Sequence, residues 1–234
     1  MFYWSSLPLF SLRINNYTAD KIKNIIRKQI VPTSFIVVDD FLDNPYELRN
    51  AALGLEYPDI QGPYPGKNSV NRINLGGINN EISRLVGEPL VPMTHNQAHG
   101  KCRVASANDT GTSNVHVDGS HWSGILYLSR PEDCRGGTEF FRHKQTNTER
   151  APYNDQEAMA KYGAPSAKQW VADLLAEDSN DASKWDMTLR IPMRFNRLIL
   201  LRPWLWHTAG ESFGTTMEDS RLVYLMFFAS AGKQ

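Results

Sequence analysis

Asn114-Val-His-Val-Asp118 and, five residues on, Ser123-Gly-Ile-Leu-Tyr-Leu-Ser129 are two short β-prone runs separated by turn residues. Branched and aromatic side chains suit the pleated surface of a strand, whereas Gly and Ser interrupt it. Alternation along the first run places His116 and Asp118 on one face and Val115 and Val117 on the other. Residues two apart on a strand face lie about 7 Å apart, so an imidazole and a carboxylate there can converge on one ion. Lys101 to Ala107 precedes these runs and Thr138 to Arg142 follows them; Arg197 to Leu201, Leu205 to Thr208 and Arg221 to Ala229 continue the series. Many short strands divided by turns indicate a sandwich or a barrel. The expected class is α+β, mainly β.

Helical signals lie elsewhere. Lys21, Lys23, Arg27 and Lys28 alternate with Ile22, Ile25, Ile26 and Ile30 at helical spacing, which describes a packed helix with a solvated face. Asn44-Pro45 supplies a cap and a proline at the first helical position, and Gly54 can close that helix. Ile78 to Val86, before Gly87, is a third helix. Ser34 to Phe41 reads as a buried strand, and the Pro- and Gly-rich stretch between Tyr57 and Lys67 as a loop. From Lys144 to Arg190 the chain turns polar and helix-prone, with helices expected at Asp155 to Tyr162 and Ser166 to Ala176. About 45 residues with few large apolar groups bury little by themselves. This segment therefore reads as an insertion between core strands of one domain spanning residues 1–234, with the core at about 101–230.

The 234 residues include 41% hydrophobic and 21% charged side chains, enough apolar material for a sizeable core and too little charge for disorder. Basic and acidic residues number 25 each. A grip on long nucleic acid usually needs a basic excess, because phosphate neutralisation supplies most of the affinity, and none is present in the total. Cys102 and Cys134 are far apart and make no zinc-knuckle spacing. Met1 to Ile14 lacks a charged n-region and a long apolar run, and no stretch approaches the length of a membrane span. The expectation is a cytoplasmic protein acting on a small-molecule or peptidyl substrate.

His116 and Asp118 need a third ligand. His207 stands in Arg197-Leu-Ile-Leu-Leu-Arg-Pro-Trp-Leu-Trp-His-Thr208, a strand, a proline turn and a second strand. Two histidines and one carboxylate that leave coordination positions open form the facial triad of non-haem iron(II) oxygenases. Fourteen residues later Arg221 opens the apolar strand Arg221-Leu-Val-Tyr-Leu-Met-Phe-Phe228. A cation there is costly to bury without an anionic partner, and a guanidinium receives a carboxylate through two parallel hydrogen bonds. His121 is read as a loop residue near the mouth of the site, His95 and His99 as surface or satisfied groups, and His143 as solvated. Tyr64-Pro-Gly66 is a lid or a turn.

The stretch from about Arg103 to Phe228 resembles the 2-oxoglutarate- and Fe(II)-dependent dioxygenases, in particular their prolyl 4-hydroxylase-like branch. The matching elements run in order: His116-Val-Asp118, Gly124-Ile-Leu-Tyr-Leu-Ser129, Arg135-Gly-Gly-Thr-Glu-Phe140, Phe195-Asn-Arg-Leu-Ile-Leu200, Trp206-His207 and Arg221. Phe35 to Leu42 is similar to the family's lead-in strand. The resemblance implies a double-stranded β-helix (jelly roll) core with N-terminal helices packed on one sheet and a helical insertion between core strands. It implies Fe(II) on His116, Asp118 and His207, and 2-oxoglutarate with its distal carboxylate on Arg221. Decarboxylation of the keto acid to succinate and CO2 would accompany hydroxylation of a substrate C–H bond, with ascorbate as a candidate reductant. Three departures stand out. The spacing from His207 to Arg221 is longer than the family's, with a hairpin through Gly210 to Gly214 to absorb the excess. Val223 replaces the usual serine or threonine. The tyrosine that often helps hold the keto acid is replaced near Ser106, and Tyr127 is its substitute. The alternative from the residues alone is a cupin-like metal-binding isomerase or small-molecule binding protein, which would have no need of Arg221.

Overall fold

A computed structural model describes residues 33–60, 62–95 and 98–232; the expected helix Lys21 to Ile30 and the stretch Met1 to Ile14 lie outside these described residues. The organising element is the longest apolar run, strand β10 (Arg221–Ser230), which pairs antiparallel with β5 (Trp122–Tyr127), β4 (Cys102–Ala105) and β3 (Leu90–Pro92). β8 (Leu198–Leu201) joins β5 to the edge strand β1 (Phe35–Val38), and β2 (Lys67–Asn68) closes the other side of β4, giving a seven-stranded sheet. A second sheet has three strands, β7 (Trp185–Pro192), β6 (Gly137–His143) and β9 (His207–Thr208). Among the described residues the fold is therefore mainly β, with antiparallel sheets and four helices.

The large sheet is buried on both faces, which is why its strands read as nearly unbroken apolar runs. Leu126, Leu198, Leu200, Tyr224 and Met226 share one core cluster with Leu48 and Ala52 of α1 (Pro45–Leu53) and Ile78 and Ile82 of α2 (Ile78–Val86). The alternate side chains Tyr127, Ile199, Leu201 and Val223 meet Phe140 and Ile191 of the small sheet in a second cluster. Ile82 is fully buried, and a side chain of that size contributes about 1.5–3 kcal/mol. Gly137 lies so close to β7 that a Cβ there would meet the Ile191 carbonyl oxygen at 2.0 Å, so Gly136-Gly137 lets the two strands come together.

Several expectations need revision. Strand β1 is an edge strand with Phe35 and Val37 each 40% exposed, not a buried one. Asn114 to Asp118 is not a strand: the chain bends at Asn114 and Val115, and among the described residues it pairs through one bridge, His116 to His207. The helical insertion is shorter than predicted. Its helices α3 (Asp155–Tyr162) and α4 (Ala167–Asp178) start on side-chain caps from Asn154 and Ser166, but Trp185–Pro192 is strand β7. Asp186 to Arg190 are all exposed on this edge strand, and its polar residues Asp186, Thr188 and Arg190 imitate an insertion. No hairpin forms between Gly210 and Gly214; the chain there is a loop that sends Phe213, 3% exposed, into the core between the sheets. His143 is not at the surface. It is 1% exposed and bonds Asp178 and Thr146, both at 2.9 Å, fastening the end of α4 to β6. No helix among the described residues is long and apolar enough to cross a membrane.

Candidate metal centre

His116 and His207 exchange backbone hydrogen bonds of 2.9 and 3.1 Å, and this bridge sets their side chains side by side. Their ring centroids are 4.4 Å apart. Asp118 follows two residues later, its backbone N–H donating to the Pro203 carbonyl at 3.0 Å. One ligand atom from each of His116, Asp118 and His207 lies within 4.8 Å of the others. Each histidine donates its Nδ1–H to a nearby carbonyl, Asn114 for His116 and Leu205 for His207, both at 2.8 Å. Because a carbonyl can only accept, each Nδ1 carries a proton, and Nε2 is the atom each ring turns towards a metal. Asp118 presents Oδ1 at 3.8 Å from His116 Nε2 and Oδ2 at 3.6 Å from His207 Nε2. Ser123 Oγ donates to Oδ2 at 2.7 Å and holds the carboxylate in place.

The electrostatics suit a cation. Burial pushes His116 down to about 4, with His207 beside it acting in the same direction, so it is neutral and ready to ligate at pH 7. Burial pushes the Asp118 carboxyl up, but His207, His116 and Ser123 outweigh it and bring the group down to about 2. Burial lowers His207, yet the adjacent Asp118 carboxylate prevails and raises it above the ordinary value. A metal must therefore displace a proton chiefly from His207. Iron affinity is expected to rise with pH, by up to about tenfold per unit, until His207 has lost its proton, and to level off above that. Competition titrations with a chelator from pH 5.5 to 8.5 would measure this; an affinity that falls with rising pH would contradict it.

Arg221 begins β10, in register with Ala105, and lines the same cavity as the three ligands. It is 3% exposed, and its Nε has no hydrogen-bond partner among the described residues. Burial lowers its pKa, offset in part by the nearby Tyr127 hydroxyl, and its guanidinium lies 5.9 Å from the Tyr127 ring centroid. No carboxylate of the described residues pairs with it. Tyr127 is itself fully buried, with its hydroxyl engaged by Thr138 Oγ1 at 2.7 Å and N–H at 2.9 Å. It thus stands beside Arg221 rather than opening into the cavity. Ser106 is not brought to the site, since its N–H and Oγ both bond Asp109 Oδ2 in a turn. His121 also lies apart, paired with Glu88 at 2.6 Å and with Arg202.

Two contributors carried no clear signal in the sequence. Ser123 sits at the head of an apolar run, and nothing in its neighbours marks the carboxylate it will bind. Tyr64, in the Pro- and Gly-rich loop, lays its ring 4.2 Å from that of His116. Burial and the Asp118 charge push its hydroxyl up to about 12, so it stays protonated. Arg103 holds this loop down through the carbonyls of Tyr64, Pro65 and Gly66. Gly66, at φ +90°, sits where a Cβ would strike the Val104 carbonyl oxygen at 2.3 Å. Replacing Ser123 with alanine is expected to weaken metal binding by about tenfold or more, the usual worth of a group that orients a ligand. Calorimetric titration would test this; unchanged affinity would make Ser123 irrelevant to the site.

The fold and site define a mainly β protein with a cluster of two histidines and one carboxylate beside a buried arginine that pairs with no carboxylate of the described residues. By its match over residues 102–228, the chain belongs to the family described as "Family of unknown function (DUF6445)". No curated protein matches it. Among solved structures it is similar to HygX from Streptomyces hygroscopicus with nickel and 2-oxoglutarate bound, at 14% identity and a TM-score of 0.45, covering 92% of this chain and 87% of HygX. It is also similar to SnoK, a non-heme alpha ketoglutarate dependent carbocyclase from nogalamycin biosynthesis, at 12% identity and a TM-score of 0.49, covering 92% and 85% of the two chains.

Proposed function

We propose that this protein is an Fe(II)- and 2-oxoglutarate-dependent oxygenase that hydroxylates a substrate C–H bond, releasing succinate and CO2. One observation carries the reading: a two-histidine, one-carboxylate cluster and a buried guanidinium with no anionic partner among the described residues line the same cavity. The donor set suits iron(II), and three protein ligands leave coordination positions for small molecules. The orphaned Nε of Arg221 suits the distal carboxylate of a dicarboxylate, because a guanidinium buried without one costs stability. A cupin-like binding protein gives no account of that arginine.

In this reading His116, Asp118 and His207 hold the metal, which when bound supplies the redox chemistry with oxygen and the keto acid. The chain's own groups prepare the site. Asn114 and Leu205 carbonyls fix the imidazole tautomers, and Ser123 orients the carboxylate. Tyr64 covers His116 and keeps water from that side, while Tyr127 backs the guanidinium. The double-stranded β-helix, with α1 and α2 on the outer face of the large sheet, is supported by the two core clusters on opposite faces of that sheet. The prolyl 4-hydroxylase-like branch is carried by the order of motifs, and ascorbate remains the expected reductant. Anaerobic addition of Fe(II) and then 2-oxoglutarate should produce the weak visible charge-transfer band of a metal-chelated keto acid. On admission of air, succinate should accumulate. Absence of both would overturn the reading.

A further inference from the structure

A second cavity, of about 610 Å³, lies over the metal cluster and shares Asp118, Tyr64 and Arg103 with the first. Its size is that of sites for small organic ligands. Its walls are largely apolar, with Ile60, Val70, Val117 and Phe227 among them. The charged side chains at its walls are Lys101, Arg103 and Asp118, and Asp118 is committed to the metal cluster.

The basic pair follows from strand alternation. Cys102 and Val104 of β4 point into the helix-side core, so Lys101 and Arg103 share the opposite face, which looks into the cavity. Arg103 donates to backbone carbonyls and to Asn68 Oδ1, all neutral acceptors, so no carboxylate of the described residues bonds it directly. The Lys101 side chain makes no hydrogen bond or ion pair with any described residue. Arg221, by contrast, lies at the far end of the same face. Its partner in register is Ala105, whereas the Lys101 carbonyl accepts from Leu225, four residues along β10, or about 13 Å. Of the three basic side chains, Arg221 thus lines the first cavity, Lys101 the second, and Arg103 both.

We propose that the substrate is a small molecule with an apolar body and an anionic group, carboxylate or phosphate, that pairs with Lys101. The apolar walls hold the body over Asp118, and the Arg103 charge reinforces the field that draws the anion in. Cationic molecules are repelled from the same wall. The assignment of this cavity to substrate rests on the oxygenase reading; the preference for an anion rests on the cavity's own charges.

The test uses the full chain loaded with Zn(II), which is redox-inert, and saturating 2-oxoglutarate. Ligand-observed NMR would measure binding of a size-matched set of aromatic carboxylates, phosphates, amides and amines. Carboxylates or phosphates should bind preferentially, and whichever series is tighter names the anion. Lys101→Gln should weaken that series by at least about tenfold, the worth of a hydrogen bond to a charged group, with 2-oxoglutarate affinity unchanged. Amides or amines binding as well as the acids, no anion binding at all, or anions binding equally to Lys101→Gln would each overturn the proposal. If Zn(II) and 2-oxoglutarate do not bind, the oxygenase reading fails. The anion preference is then measured in an Arg221→Met background, where that guanidinium is gone, and the same outcomes decide it.

Discussion

Replacing His207 with alanine is expected to lower Fe(II) affinity by more than about 100-fold, beyond the 10- to 100-fold typical for groups that only orient a ligand. The charge-transfer band with 2-oxoglutarate should vanish with it. The reason is geometric. His116 and Asp118 come from one short segment, and His207 meets them from the second sheet, through the backbone bridge and the position of its imidazole. The backbone bonds of that bridge survive the substitution, so the variant should still fold. A second substitution guards that point: His207→Gln keeps a polar side chain of similar reach while removing the imidazole, and should be equally deficient. Thermal melts would establish folding, and anaerobic titration the affinity. A full band in either folded variant would remove His207 from the metal site.

Arg221→Met is expected to separate stability from function. The free protein holds a guanidinium at 3% exposure whose Nε has no partner among the described residues. Burial has already shifted its equilibrium towards the neutral form. Met has similar reach and no charge to desolvate, so the ligand-free variant should melt no lower than the wild type. Its affinity for 2-oxoglutarate should fall by about 2–5 kcal/mol, roughly 30- to 5,000-fold, because the distal carboxylate would be buried without its partner. Fe(II) affinity should change little. Arg221→Lys should recover part of the loss, since an ammonium supplies charge without the forked geometry. Equal weakening of iron and keto acid would place the distal carboxylate elsewhere.

Much of the site could be read before any coordinates. The three ligands and Arg221 announce themselves because each is a polar or charged residue inside an apolar run, where burial is costly without a purpose. Helix bounds were legible where glycine or proline punctuates them: Ile78–Val86 ends at Gly87, which takes φ 70°. The strand containing His116 was legible only in part. Val115 and Val117 look like strand residues, but the segment pairs by a single bridge because its other edges are met by Ser179 and Pro203 rather than by a continuous neighbour. Strand β7 was hidden by its run of exposed residues, and His143 by a partner, Asp178, that lies far along the chain. Ser106 was drawn in by analogy, and the local turn with Asp109 takes it out.

The amino-acid sequence by itself determined the local alternation of the strands, the helix ends, the three candidate ligands and the unusual cation at the head of β10. Those properties depend on neighbouring residues and on the solvation cost of each side chain, both of which are written in order along the chain. Tertiary structure alone decided which groups hold those ligands still and what surrounds them. Ser123 reaches Asp118, Tyr64 covers His116, and Lys101 with Arg103 faces an apolar cavity because separate segments meet when the sheets close. Contacts of that kind depend on packing in three dimensions, and no single stretch of sequence encodes them.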